Sequence, residues 1–596
     1  MPERGAGPPR RTCALNSLRL RKHAVLVVAV LGTTALIAVA VLAETGTVLS
    51  RVNEIEGKRG GTLTVVSLEG SPDLDPARID DVYGAMIAHA VDRTPYTFRP
   101  DRGGAPQPDL AEGTPDISND SRRVTITLRS GVHFSPPVNR EVTARDVAYG
   151  IARGFLPSVD SPSAHLYFGD VQGVAAVEAG RRTIPSGLVT PDSHTLEIRL
   201  RAPTGRQVAE ALTLPLAAPV PPEYAGRFDR LPRSSYGRHQ VFTGPYRIAA
   251  DRTGLLPPAD APRITLERNP RWNEGNDFRP AFVNRIVLEQ RWSGASALAE
   301  RVLDGRAAVT GNEPPRADLL RALHMRRAQV ALPSAGEITF IALNTRLDPF
   351  NDANVRRAVS SVLNRQALRA ALGGAVVGEP PTHWIPPGVP GFAQAGGRAG
   401  PGADFLAPRR GDLALARRYL RRAGYPRGRI TGSPVLELVA RRQPSGAAFA
   451  AATRNALAAL GLRSRVRFLA FGPFIRACSR APHVAACLGY RWQRDLNDAA
   501  SVLPPLFGAK GLRAGTNVSR LSDPPLERLL HDAATTTGQA DRAGRWADAD
   551  RQVTQLAPGV PILWNRDPNL RSADVKGVLD PDLAAWDLSF TSLRAP

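Results

Sequence analysis

Residues 489–503, GYRWQRDLNDAASVL, gather the side chains best suited to holding a charged solute. Two aromatics, Tyr490 and Trp492, are followed by two acids, Asp495 and Asp498, with Asn497 between them. Aromatic faces beside a carboxylate make a seat for a cation such as a ligand ammonium group. The apolar run 483–488 reads as a strand, so the cluster would sit at a strand end. A plainer alternative stays open on these residues alone: a strand with two core aromatics and a solvated polar loop.

Catalytic patterns do not occur in the sequence. There is no nucleophile elbow, no His-Glu-x-x-His, no Walker loop and no zinc-type Cys/His cluster. Gly396-Gly397-Arg398-Ala399-Gly400 has the composition of a phosphate loop, but no strand precedes it and no Lys-Ser or Lys-Thr follows. It reads as a surface loop. Ten histidines are scattered singly, without metal-ligand spacing. The expectation is a protein with no catalytic activity, no metal and no cofactor.

Those residues must be positioned by a large scaffold. At 596 residues the chain exceeds one hydrophobic core and should divide into lobes. A content of 43% hydrophobic and 22% charged residues suits globular structure. The formal net charge is +22, and all but four of the 77 basic residues are arginine. These arginines lie among prolines and acids without a nucleic-acid-binding motif, so nucleic acid is not expected as a partner. A basic surface facing anionic lipid or cell wall accounts for the charge. Cys13 precedes an apolar segment, while Cys478 and Cys487 lie nine apart. Outside the cytosol that pair could close a loop contributing about 2–3 kcal/mol; two unpaired buried thiols is the alternative.

Residues 1–23 form a basic, polar tail, expected in the cytoplasm, and residues 24–43 are apolar and uncharged. Twenty residues at about 1.5 Å rise span about 30 Å, the bilayer core. The segment is either a signal anchor or a signal peptide cut near Ala38-Val39-Ala40, with the bulk of the chain outside. Residues 44–58 read as a tether. Strands are expected over 62–68 and 123–128, and Thr143 as the N-cap of a helix with Asp146 in its first turn. Val355, Ala358, Val359 and Val362 make a core-facing stripe, which leaves Arg356 and Arg357 at a solvated edge or paired with Asp352. Strands over 435–440, 466–469, 484–488 and 559–564 alternate with helices over 413–423 and 445–460, an α/β pattern.

Several segments occur in a telling order: GGTLTV from Gly60, LDPA from Leu74, DLAEG from Asp109, LRSGVHF from Leu128 and VTARDVAYGIARGF from Val142. Thr243-Gly244-Pro245-Tyr246, Arg268-Asn269-Pro270-Arg271-Trp272, residues 340–365 and Ala423-Gly424-Tyr425 continue the series. Together they resemble the large solute-binding proteins of peptide ABC importers, extracytoplasmic solute-binding protein family 5. Most of these segments set turns and core stripes rather than contacts to a ligand.

The resemblance implies an α/β, periplasmic-binding-protein-like fold of type II, in its large cluster C form. Lobe I would take residues 59–100, 201–330 and 555–596, an extra lobe 101–200, and lobe II 331–554 with the ligand segment 489–503. Hinges are expected near 332–338 and 555–560. The implied function is capture of peptides in the interlobe cleft and delivery to an ABC permease, with the membrane reached through residues 24–43. Asp495 falls where peptide binders place the acid that receives the α-ammonium group; Trp492, Asn497 and Asp498 fall on the same pattern, with Tyr490 beside them. Ala499 replaces a proline and Arg494 a small residue. A ligand sensor or scaffold on this fold, or a binder of a non-peptide solute such as an oligosaccharide, is the alternative.

Overall fold

The computed structural model describes residues 57–595, apart from 69, 80, 101–105, 162, 231, 312 and 581–584. The expected tail over 1–23, the apolar segment over 24–43 and nearly all of the tether lie outside the described residues. Among the described residues no helix is long and apolar enough to cross a membrane.

Three sheets carry the architecture. The first has five strands in the order Val309–Thr310, Thr62–Val66, Arg285–Glu289, Arg263–Arg268 and Tyr246–Ile248. Thr62–Val66 runs parallel to both its neighbours. Successive side chains of a strand point to opposite faces. Accordingly Leu63 and Val65 pack in the core containing Met86, Ile87 and Ala90 of helix Val82–Val91, while Val66 packs with Leu298, Ala299 and Val302 of helix Ala295–Leu303.

The second sheet has four antiparallel strands in the order Asp116–Ile117, Arg123–Thr127, Thr195–Arg199 and Leu188–Val189. Val124, Ile126, Leu196 and Ile198 bury one face against helix Ala144–Arg153. Thr143 and Asp146 form a capping box at that helix's start. Leu496, far along the chain, joins this same core.

The third sheet has six strands in the order Gly378–Glu379, Gly559–Arg566, Ser334–Leu343, Val484–Gln493, Leu436–Arg441 and Ser464–Leu469. Its two long central strands are antiparallel, with Ile338 opposite Trp492 and Phe340 opposite Tyr490. Leu438 and Ala440 face one core, and Val439 and Cys487 the other.

Four expectations are corrected here. The strand expected over 483–488 continues to Gln493, so Tyr490 and Trp492 lie on it rather than after it. Gly489, at φ +71°, takes up the ladder's irregularity, and a Cβ there would stand 2.9 Å from the Phe449 ring. Gly559–Arg566 belongs to the third sheet, paired with Ser334–Leu343, so residues 559–566 are not part of lobe I as the 555 boundary would have it. The chain crosses between sheets where Ala331 pairs with Asn569 and Ser334 with Arg566, which places the second crossing beyond 566 and not near 555–560. Arg356 is neither solvated nor paired with Asp352. It is buried and donates to the carbonyls of Phe350, Leu556 and Ala557, tying its helix to the turn that enters strand Gly559–Arg566. Burial, only partly offset by the charge of Asp352 and aided by Arg357, pulls its pKa down to about 10. Asp352 instead caps the helix through the Asn354 N–H, at 2.6 Å.

Candidate functional site

A cavity of about 460 Å³ lies where the three sheets' elements converge, within the range of small-molecule clefts. Pro72, Ile79, Asp81 and His89 line it from the first sheet's side, and Ser163, Leu166 and 213–216 from the second's. The third contributes Arg441, residues of helix Phe471–Arg480 and residues 489–495.

Tyr490, Trp492 and Asp495 all stand on this wall. Tyr490 is held by edge-on contact with Phe340, ring centroids 5.6 Å apart. Trp492 is half-buried, and its indole N–H donates to the Ser501 carbonyl at 2.7 Å, which fixes the ring plane. Asp495 is exposed to the cavity, and its Oδ2 accepts the hydroxyl hydrogen of Tyr167, from the second sheet's unit. Burial, reinforced by Asp495, pushes the Tyr167 phenol far above its ordinary pKa, so it stays a donor. Leu496, next in the chain, is anchored in the core across the cleft.

Asn497 and Asp498 do not line the cavity. Asn497 Oδ1 accepts from Arg494. Asp498 is buried; one oxygen accepts from the Ala500 N–H at 2.7 Å and the other from Arg542 Nε at 2.8 Å. These bonds fold the turn that follows Asp495.

The other end of the wall carries a shared ion cluster. Arg491 donates to Glu337 Oε2 at 2.8 Å and approaches Glu313 at 3.5 Å. Glu337 is on the partner strand, whereas Glu313 follows the first sheet's Val309–Thr310 strand, so Arg491 spans the crossing. Against the pull of burial, Glu337 keeps its guanidinium firmly charged. Burial raises the Glu313 carboxyl and lifts Asp567, where the chain recrosses, to about 7, with Glu337 and Glu313 adding to the push on Asp567.

Cys478 and Cys487 are bonded, with Cα atoms 5.9 Å apart. The bond ties the cavity-lining helix Phe471–Arg480 to strand Val484–Gln493.

A family model described as bacterial extracellular solute-binding proteins, family 5 Middle, matches residues 105–512. The chain belongs to this family. Di/tripeptide-binding protein 1 of Pseudomonas aeruginosa is 26% identical over 481 residues, 78% of this chain and 81% of its own length. The oligopeptide-binding protein OppA of Bacillus subtilis is 23% identical, covering 88% and 92%. Among solved structures, clavulanic acid biosynthesis oligopeptide binding protein 2 superposes with a TM-score of 0.77 at 26% identity, covering 90% of this chain and 96% of that one. Haemophilus influenzae OppA, in complex with RPPGFSPFR, gives 0.74 at 18% identity, covering 90% and 100%. The fold is the α/β, type II periplasmic-binding form, and the family is one of extracellular solute-binding proteins rather than of enzymes.

In this family-5 chain two residues of the site escape sequence reasoning. Tyr167 lies in an apolar stretch, AHLYF, with nothing to mark it as a partner of an acid 328 residues away. Arg491 is flanked by the two singled-out aromatics, but its acids come from residues 313 and 337. Alternation along a half-buried strand could have placed Arg491 on the same face as Gln493, whose ladder partner is Glu337, so that the ion pair runs diagonally.

Proposed function

We propose that this protein captures short peptides in the cavity and delivers them to an ABC permease. The observation that supports this most directly is Asp495 at the cavity wall, beside Trp492 and Tyr490. Oδ2 of Asp495 accepts from Tyr167, and the exposed carboxylate would receive an ammonium group from the cavity side. An ammonium there would gain a charge-assisted contact and an aromatic wall. The peptide backbone would bond along the cleft as an added strand, which keeps side-chain choice broad. Asn497 and Asp498, on this reading, shape the loop that presents Asp495 and do not touch the ligand.

The surroundings also carry Arg441, Arg476, Arg491 and Arg494. This favours a ligand with a carboxylate, met by a peptide's C-terminus or an acidic side chain. A non-peptide anion is the second reading, and "Probable deoxycholate-binding periplasmic protein YgiS" of Escherichia coli, 24% identical, is a relative with such a name. Residues 24–43 would anchor or export the chain, placing the lobes outside the membrane. The lobes would close by hinging at the paired crossings near 331–334 and 566–569, biased by contacts made only when closed. Mass spectrometry of what co-purifies with the full chain tests the reading. Di- to oligopeptides in stoichiometric amount support it, and a non-peptide solute as the sole ligand overturns it.

A further inference from the structure

His89 leaves helix Val82–Val91 near its C-terminal end and reaches the cavity floor. There it meets Asp580 and Asp587, from the chain's last segment. One ligand atom from each of the three lies within 4.8 Å of the other two, and both carboxylates are buried. The His89 Nδ1 and Asp587 Oδ2 atoms are 3.4 Å apart. That is long for a charge-assisted hydrogen bond, which runs about 2.7–2.9 Å. It matches the spacing of two ligands on one tetrahedral zinc ion, about 3.3–3.5 Å for bonds near 2.0–2.2 Å.

The remaining atoms of His89 and Asp587 are arranged as outer-shell support. His89 Nε2 lies 2.9 Å from Thr97 Oγ1, which orients the ring and leaves Nδ1 facing the two acids. A metal-bound imidazole commonly fixes its other nitrogen this way. Asp587 Oδ1 accepts from the N–H groups of Ser589 and Phe590, at 3.0 and 3.3 Å. Its Oδ2 is fully buried and has no hydrogen-bond donor among the described residues. A buried carboxylate oxygen left so is costly unless something else meets it. The neighbouring guanidiniums of Arg93 and Arg279 are engaged by Asp109 and Asp277, at 2.6–2.9 Å for the close pairs.

We propose that His89, Asp580 and Asp587 form a divalent-cation site of zinc type on the cavity floor. One imidazole with two carboxylates suits such an ion. Because His89 and Asp580 both line the cavity, the position left by three protein ligands faces the cleft, where a solute's carboxylate or carbonyl oxygen can complete the coordination.

The test uses the full chain, stripped with EDTA and dialysed against zinc chloride, with bound metal counted by elemental analysis. The expected result is one zinc per chain in the wild type, with His89→Gln and Asp587→Asn each weakening retention at least tenfold. Circular dichroism establishes that both variants are folded. Zinc retained equally by all three proteins, or by none, overturns the proposal. Should the variants unfold, X-ray absorption of the zinc-loaded wild type decides. One imidazole nitrogen and carboxylate oxygens at about 2.0–2.2 Å support the site; a sulfur ligand or several imidazoles refutes it.

Discussion

Asp495 and Asp498 are three residues apart and lead opposite lives. Asp498 is buried and answered by one guanidinium and one backbone N–H. Asp495 stands at the cavity wall, met by a phenol from across the cleft. The difference is one of placement. Asp498 is closed into the fold by a buried ion pair, whereas Asp495 is exposed on the cavity side. The turn between them is the device that separates the roles, since Leu496 anchors on one side and Asp498 on the other.

Removing the buried acid should give the largest effect. Asp498→Ala strands Arg542, and breaking one partner of a buried pair costs about 3–5 kcal/mol. Thermal or denaturant melts should show a large loss of stability. A melt within error of the wild type would erase the distinction between the two acids.

The crowded end of the same wall offers a smaller contrast. Three carboxyls, Glu313, Glu337 and Asp567, surround Arg491, whereas Arg542 is ion-paired with Asp498 and has Glu210 as a second neighbouring acid. Asp567 is raised to about 7 from an ordinary value near 4. In that window the folded form holds more protons than the unfolded, so this group's contribution to stability falls as pH rises from about 4 to 7. Melting temperatures measured across the window should fall less steeply in Asp567→Asn than in the wild type. Equal slopes would mean that the crowding has no energetic consequence.

Which features the sequence discloses depends on how local their causes are. The N-cap at Thr143 and the first-turn acid at Asp146 are written within four residues and form as expected, and the structure joins them in a capping box. The core stripe from Val355 to Val359 is local too, and it is buried. Arg356 on the same helix is not legible locally, because the carbonyls that bury it arrive from residues 556 and 557. Strand Gly559–Arg566 looked like a buried strand and is one, but its sheet is decided by pairing with Ser334–Leu343, more than two hundred residues earlier. In the candidate site, Tyr490, Trp492 and Asp495 share one strand end and could be picked out together. Asp498 could not be told from Asp495 without Arg542, nor His89 from nine other single histidines without Asp580 and Asp587.

The central claim is that Asp495 holds the ammonium of a peptide. A calorimetric double-mutant cycle tests it most directly, pairing wild type and Asp495→Asn with a bound peptide and its N-acetylated form. The account predicts that either change alone weakens binding at least tenfold, about 1.4 kcal/mol, and that the second adds little once the first is made. Full additivity of the two losses, or unchanged affinity in Asp495→Asn, would contradict it.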